Sequence, residues 1–79
     1  GREVGIACAE RFKRSILELG GNNAAIIAPS ADLELAIRAM TFSAAGTAGQ
    51  RCTSLRRAFV HVDVLEAVTS RLVQVFGRL

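Results

Sequence analysis

One cysteine of the chain stands between a glycine-rich stretch and an apolar run. Residues 46–54 read Gly-Thr-Ala-Gly-Gln-Arg-Cys-Thr-Ser and directly follow a helical pattern. We therefore expect Cys52 on a loop that packed elements hold in place. A thiol reacts as its thiolate, and it needs nearby positive charge, backbone donors or a base to ionise near neutral pH. The placement suits a nucleophile, although an isolated cysteine is more often a small buried apolar residue.

A carboxylate interrupts a second apolar run, residues 15–19, which ends at Gly-Gly-Asn-Asn. On a strand, Glu18 would share one face with Ile16 and Gly20, because successive side chains alternate between faces. We expect Glu18 to be partly desolvated there. Desolvation favours the protonated form of a carboxyl group and so suits it to general-base chemistry near neutral pH. The alternative is a carboxylate on the wet face of an edge strand.

The two stretches together resemble the catalytic core of the aldehyde dehydrogenase superfamily. They read LELGGNN at 17–23 and GTAGQRCTS at 46–54, and Glu18 and Cys52 are 34 positions apart. In that family the Glu of the E-L-G-G motif is the general base and the Cys of the G-Q-x-C motif is the nucleophile. The paired asparagines and the continuation into LRRAFVH resemble the branch that oxidises α-aminoadipic semialdehyde or its cyclic form, piperideine-6-carboxylate. The resemblance extends over the whole chain.

The resemblance implies an NAD(P)-dependent oxidation of a small-molecule aldehyde to a carboxylate. The Cys52 thiolate would attack the carbonyl, and a thioester on Cys52 would remain after hydride leaves. Water activated by Glu18 would hydrolyse that thioester. The oxyanion would be held by the Cys52 backbone N–H and by an asparagine side chain from upstream in the family. The residues expected to shape the substrate mouth are Gln50, Arg51 and Thr53.

The resemblance also implies where the dinucleotide, NAD or NADP, would lie. Gly1 resembles the last glycine of the phosphate-binding turn, and Leu19 and Gly20 would lie near the nicotinamide ring. Residues 1–18 would then end a Rossmann-like nucleotide-binding domain, and residues 19–79 would begin the α/β catalytic domain. We expect an internal fragment of a longer, homo-oligomeric enzyme, inactive alone because the upstream asparagine and most of the cofactor site are missing.

Hydrophobic periodicity predicts an α/β segment with the element order α-β-β-α-β-α. The predicted elements are a helix over 1–14, strands over 15–19 and 24–28, a helix from 30–32 to about 46, a strand within 55–62 and a helix starting in a capping box at 63–66. The later strands are expected to be parallel and joined by a helix. Cys8 and Met40 lie in apolar helix faces and are predicted to be core residues.

Composition argues against several function classes. Nine arginines and one lysine against seven acids give a net charge of +3, but the arginines are spread along the chain, which has no Trp or Tyr. This pattern argues against nucleic-acid binding. No apolar run reaches the roughly 18 residues of a membrane span, and no metal-ligand cluster is present. The cysteines stand in unrelated contexts, so we expect no disulfide and a cytoplasmic setting.

Two other functions stay open from the residues alone. Cys52 could act in a cofactor-independent thiol esterase with Glu18 or His61 as its base, although His61 is more simply a partly exposed histidine at a strand end. Alternatively the chain could be a non-catalytic packing or assembly segment, because three helices with apolar faces need partners.

Overall fold

The chain folds as an α/β segment, and the computed structural model describes all residues 1–79. Its elements are α1 (Arg2–Ala9), β1 (Asn23–Ile27), α2 (Leu33–Ala45), a 3₁₀ turn (Gly46–Gly49), β2 (Leu55–Val60) and α3 (Val62–Phe76). β1 and β2 form a parallel two-stranded sheet joined through α2. The predicted α/β class and the parallel pairing through a helix are therefore confirmed, whereas the order is α-β-α-β-α.

The core lies where α2 and α3 pack on one face of the sheet. Ile27, Ile37, Met40 and Val68 are its buried members, so the predicted core position of Met40 is confirmed. Because side chains alternate along a strand, Ile26 points to the opposite face of the sheet, where it is exposed. That second face has no cover within the chain.

α2 begins and ends where the sequence predicts. The Oδ1 atom of Asp32 accepts a hydrogen bond from the backbone N–H of Leu35 at 3.0 Å, which caps the first turn. The helix stops at Ala45, directly before the glycine-rich stretch. This end delivers the chain into the loop that contains Cys52.

The capping box predicted for α3 is wrong. The N-cap is His61, whose Nδ1 accepts a hydrogen bond from the backbone N–H of Asp63 at 3.3 Å. β2 ends at Val60 and helical geometry begins at Val62, so His61 alone has the extended backbone that an N-cap requires. Asp63 instead lies in the first turn, where a negative charge suits the helix dipole.

The strand predicted over residues 15–19 does not form. A strand needs a neighbour for its backbone hydrogen bonds, and no other strand of the chain pairs with this run. Its leucines contact α1 instead: a Cβ built on Gly1 would lie 2.5 Å from Leu19 Cδ2, and one on Gly5 would lie 3.5 Å from Leu17 Cδ1. The segment therefore runs back along the glycine face of α1.

The first helix is shorter than predicted. It ends at Ala9 rather than Arg14, and Phe12 has a left-handed backbone with φ of 51°. Phe12 is also fully exposed, so no burial favours continuing the helix through it. α1 has no buried residue, and Cys8 is only half-buried, which corrects its prediction as a core residue.

The molecule is elongated rather than compact. Its Cα radius of gyration is 18.0 Å, against about 12 Å for a compact chain of this length. The core and its packed neighbours all fall within residues 25–75, whereas α1 and the following segment lie outside it. None of the three helices has both the length and the apolar character needed to cross a bilayer.

Candidate active site

Cys52 lies at the exposed tip of a closed turn. The backbone N–H of Ser54 donates to the carbonyl of Arg51, and the N–H of Arg51 donates to Ser54 Oγ, both at 3.1 Å. Ser54 is 2% exposed, so the base of the turn is buried while Cys52 faces solvent. The predicted presentation of the thiol from a loop held by packed elements is what the structure shows.

The glycine-rich stretch before the turn has an unusual backbone. Thr47, Ala48 and Gly49 have φ of 53°, 54° and 70°, all in the left-handed region that non-glycine residues rarely adopt. A side chain at Gly49 would be strained by this φ, and its Cβ would lie 3.1 Å from the carbonyl oxygen of Ala44. Such a conformation persists only where surrounding contacts hold it.

One of those contacts comes from Arg56. Its Nη2 donates a hydrogen bond to the carbonyl of Gly49 at 2.8 Å. In the sheet register, Asn23 pairs with Leu55 and Ala24 with Arg57, so Arg56 is left out of the ladder. A bulge of this kind redirects a side chain. Here Arg56, the residue that the bulge leaves out, binds the glycine-rich stretch from the start of β2.

Asn23 joins the two sequence motifs in space. Its Nδ2 donates to the carbonyl of Cys52 at 2.6 Å and to that of Ser54 at 3.2 Å. Asn23 opens β1 and closes the LELGGNN motif, so the last residue of one motif contacts the cysteine of the other. No role was predicted for Asn23 from the sequence. The available signal was a polar amide at the first position of an otherwise apolar strand.

Glu18 is exposed and forms no hydrogen bond or ion pair within the chain. The expectation of partial desolvation is therefore wrong for these residues, because the run around Glu18 belongs to no sheet. Leu17 and Leu19 lie close to Gly5 and Gly1, and Glu18 between them is exposed. Glu18 precedes Asn23 by five residues, so their Cα atoms lie within about 18 Å of each other.

The structure brings together two of the three residues predicted to bind the cofactor. Leu19 packs so closely on Gly1 that a side chain at Gly1 would collide with it. Gly20 is next to this contact in sequence, and no atom lies within 4 Å of a Cβ built there. The backbone at Gly20 is therefore open to the close approach of a flat ligand.

The predicted substrate residues Gln50, Arg51 and Thr53 are all exposed around the turn. The guanidinium carbon of Arg51 lies 5.6 Å from the centroid of the Phe42 ring, within cation–π range. Arg51 has no carboxylate partner in the chain. A groove of about 340 Å³ begins beside the turn, with Thr53 and Asn23 in its wall.

His61 is far from the thiol. Cys52 precedes β2 and His61 follows it, and a strand of six residues separates them by roughly 17 Å or more. His61 is half-exposed and lies 3.5 Å from the carboxylate of Asp63. The geometry therefore rejects a Cys52–His61 pair and confirms the simpler interpretation of a histidine at a strand end. No three His, Cys, Asp or Glu side chains cluster as ligands for a metal ion.

Known proteins share this arrangement. The profile of the aldehyde dehydrogenase family matches residues 1–79. Over all 79 residues the chain is 47% identical to alpha-aminoadipic semialdehyde dehydrogenase of Bos taurus, covering 100% of this chain and 15% of that protein. Succinate-semialdehyde dehydrogenase from Burkholderia pseudomallei superposes with a TM-score of 0.86 at 34% identity, covering 100% of this chain and 16% of that one. The NAD+ complex of aldehyde dehydrogenase from Bacillus cereus superposes with a TM-score of 0.84 at 35% identity, again covering 100% of this chain and 16% of that one. The chain thus spans about 15% of the length of the curated relatives it matches.

Proposed function

Because the chain belongs to the aldehyde dehydrogenase family, we propose that it supplies the nucleophile and the general base for NAD(P)-dependent oxidation of a semialdehyde to a carboxylate. The observation that carries the proposal is the pair of hydrogen bonds from Asn23 to the turn around Cys52, since it joins the Glu18 motif to the thiol. The bovine and Burkholderia relatives are both named for semialdehyde substrates, which supports this substrate class.

Cys52 would begin the reaction. Its thiolate adds to the aldehyde carbonyl and forms a thiohemiacetal on sulfur. The thiol is exposed at the tip of the turn, so the substrate can approach it. The backbone N–H of Cys52 makes no hydrogen bond within the chain, and it is free to stabilise the oxyanion that develops on the substrate. The second donor expected for this oxyanion is the asparagine that the family supplies from upstream of these 79 residues.

Glu18 would complete the reaction as its general base. A bound nicotinamide cofactor supplies the acceptor for the hydride that the thiohemiacetal loses. The product of that loss is a thioester on Cys52, which remains reactive toward water. Glu18 takes a proton from the attacking water, and the carboxylate product leaves as the thiol is regenerated. No residue of the chain pairs with the Glu18 carboxylate, so it is available for this role.

The residues present fit a dinucleotide. Gly20 offers open backbone for a flat ring, and the neighbouring contact between Leu19 and Gly1 would form one wall of the site. We assign Leu19 and Gly20 to the nicotinamide side of NAD or NADP, and Gly1 to the turn that binds its phosphates. The NAD+ complex of the Bacillus cereus enzyme supports the proposed use of such a cofactor.

Arg51 would favour a substrate with a negative charge. A semialdehyde carries a carboxylate at a distance from its aldehyde, and Arg51 is an exposed cation next to Cys52 that has no carboxylate partner in the chain. An arginine can bind such a carboxylate through two parallel hydrogen bonds. Gln50 and Thr53 would line the same mouth.

The proposal includes the division into residues 1–18, from a nucleotide-binding domain, and residues 19–79, from a catalytic domain. Its support is that the buried core falls entirely within residues 25–75. The two cysteines are free thiols, which suits a reducing cytoplasmic setting. A homo-oligomeric enzyme is proposed from the family resemblance.

A chimera tests the proposed function. This chain replaces the 79 matching residues of the bovine relative, and NADH formation is followed in pre-steady state with α-aminoadipic semialdehyde. Cys52→Ala is expected to abolish the first turnover. Glu18→Gln is expected to keep the first turnover and to lower the steady-state rate by about 10² to 10⁴-fold, the usual contribution of a general base.

The control is Cys8→Ala, which removes the other free thiol and is expected to change neither rate. Turnover that survives Cys52→Ala would refute the proposal. Ester hydrolysis without NAD, at rates comparable to the oxidation, would favour the thiol esterase instead.

A second candidate, a non-catalytic packing segment, draws support from the exposed apolar side chains of all three helices, among them Val4, Phe42 and Val73. The two candidates predict opposite results for Cys52→Ala in the chimera. Only a catalytic segment loses its first turnover when the thiol is removed.

A further inference from the structure

We propose that Asn23 is a positioning residue that fixes the backbone around the nucleophile, a role that rests on the proposed function of Cys52. Asn23 is 29 positions from Cys52 in sequence and contacts its carbonyl oxygen at 2.6 Å. Its second hydrogen bond, at 3.2 Å, reaches the carbonyl of buried Ser54. One amide therefore holds two carbonyls on the C-terminal side of the thiol.

Both peptide planes that flank the Cys52 Cα atom are held. The plane before it is fixed by the hydrogen bond from the Ser54 N–H to the Arg51 carbonyl. The plane after it is fixed by the Asn23 amide on the Cys52 carbonyl. With both planes fixed, the φ and ψ angles of Cys52 are fixed, and so is the direction in which its Cβ leaves the backbone.

The same bonds leave the oxyanion donor free. All peptide bonds of the chain are trans, so the N–H of Cys52 points opposite to the Arg51 carbonyl. That carbonyl points into the turn toward the Ser54 N–H, which directs the Cys52 N–H outward. An outward N–H on a fixed plane is what a preorganised oxyanion site requires, because no reorganisation is then needed as charge develops.

The orientation of the Asn23 side chain is itself determined by its neighbours. Both of its Nδ2 contacts are acceptors, so the nitrogen faces the turn and Oδ1 faces the other way. A Cβ built on Gly21 would lie 3.0 Å from this Oδ1. The second glycine of the motif thus leaves the space that this orientation needs.

Asn23→Asp in the chimera tests the proposal, because Asp has the same shape but presents an acceptor to the two carbonyls. We expect the first-turnover rate of NADH formation to fall by about 10- to 100-fold, since a misplacement of about 1 Å can cost 10²-fold. We expect the dissociation constant for NAD and the thermal midpoint to stay close to those of the parent. A purely structural role would change these two quantities together with the rate.

The matched control is Asn22→Ala. The side chain of Asn22 makes no hydrogen bond, and only its backbone carbonyl is used, by Arg57 Nη2 at 2.9 Å. This variant is expected to stay within about twofold of the parent in all three quantities, well inside the scatter of a surface substitution. If Asn23→Asp does not fold, Asn23→Ser, which retains one short donor, is judged by the same criteria.

The positioning role is overturned if the folded Asn23 variant keeps a first-turnover rate within about twofold of the parent, because misplacement of the thiol is expected to cost about tenfold or more. It is equally overturned if Asn22→Ala loses as much of the first-turnover rate as the Asn23 variant does. It is also overturned if NAD affinity and stability fall in parallel with the rate. Cys52→Ala, measured alongside, separates the two proposals. An active Cys52→Ala refutes the proposed function, whereas an inactive Cys52→Ala beside an unaffected Asn23→Asp refutes only the positioning.

Discussion

At the scale of single residues, the turn around Cys52 is held by polar groups that bind backbone rather than one another. Ser54 Oγ, Asn23 Nδ2 and Arg56 Nη2 each bind a main-chain group of residues 49–54. Main-chain groups are fixed by the fold, so bonds to them hold a loop more firmly than bonds between flexible side chains. The thiol of Cys52 is thereby held without any side chain covering it.

Gly49→Ala is expected to destabilise this turn. The left-handed φ of Gly49 costs an alanine about 1–2 kcal/mol, and the added Cβ would press on the Ala44 carbonyl. In the chimera we expect a lower apparent thermal midpoint, measured by thermal melting, and slower NADH formation, measured by steady-state assay. Gly20→Ala, where the built Cβ meets no atom, is the control for melting. An unchanged midpoint for Gly49→Ala would show that the strain is not maintained in the whole enzyme.

At the scale of elements, α2 connects the parallel strands and also leads the chain into the turn around Cys52. Its Ile37 and Met40 are buried against the sheet and α3, which sets its axis. An ion pair adds to this contact: Arg71 Nη2 on α3 donates to both carboxylate oxygens of Glu34 on α2, at 2.8 and 2.9 Å. Because both side chains are largely exposed, the pair contributes at most about 1 kcal/mol.

Asp32→Ala is expected to lower stability by about 1 kcal/mol, within a range of about 0.5–2, because the first turn of α2 loses its cap. Asp32→Asn is the matched control, since asparagine caps a helix as well as aspartate does. Chemical denaturation of the chimera, followed by circular dichroism, gives both midpoints. Equal losses for the two variants would mean that the charge of Asp32 matters and its capping bond does not.

At the scale of the whole molecule, the chain has much apolar surface and little core. Only five of 79 residues are buried, and the exposed large apolar side chains include Ile16, Ile26 and Phe42. The sheet is covered on one face only and is open at both edges. An exposed apolar surface of this kind marks a contact with other protein. The curated relatives are much longer than this chain, which spans about 15% of their length.

The 79 residues on their own are expected to self-associate and to show no dehydrogenase activity. The apolar faces of the sheet and helices would pack against other copies, and the proposed mechanism takes its second oxyanion donor and most of its cofactor site from outside these residues. Sedimentation over a range of concentrations measures the association, and NADH formation with a semialdehyde measures the activity. A stable monomer that turns over at ordinary enzymatic rates, about 1–10³ per second, would contradict both expectations.

Sequence by itself determined much of the fold and the family to which the chain belongs. The period of apolar residues predicted α2, α3 and the two strands, because amphipathic elements bury one face and repeat at fixed spacing. The glycine-rich stretch before Cys52 predicted an exposed thiol, and the motif around Glu18 completed the resemblance to the family. These are properties of neighbours along the chain, which a sequence displays directly.

Only the tertiary structure decided which distant groups meet. Residues 15–19 have the composition of a strand, but a strand exists only beside a partner, and here Leu17 and Leu19 pack on α1 instead. His61 caps α3 because β2 ends one residue before it. The bond from Asn23 to Cys52 depends on the parallel register of β1 and β2. The contacts of Leu17, Leu19 and Asn23 join residues 12 to 29 positions apart, and no local pattern records them.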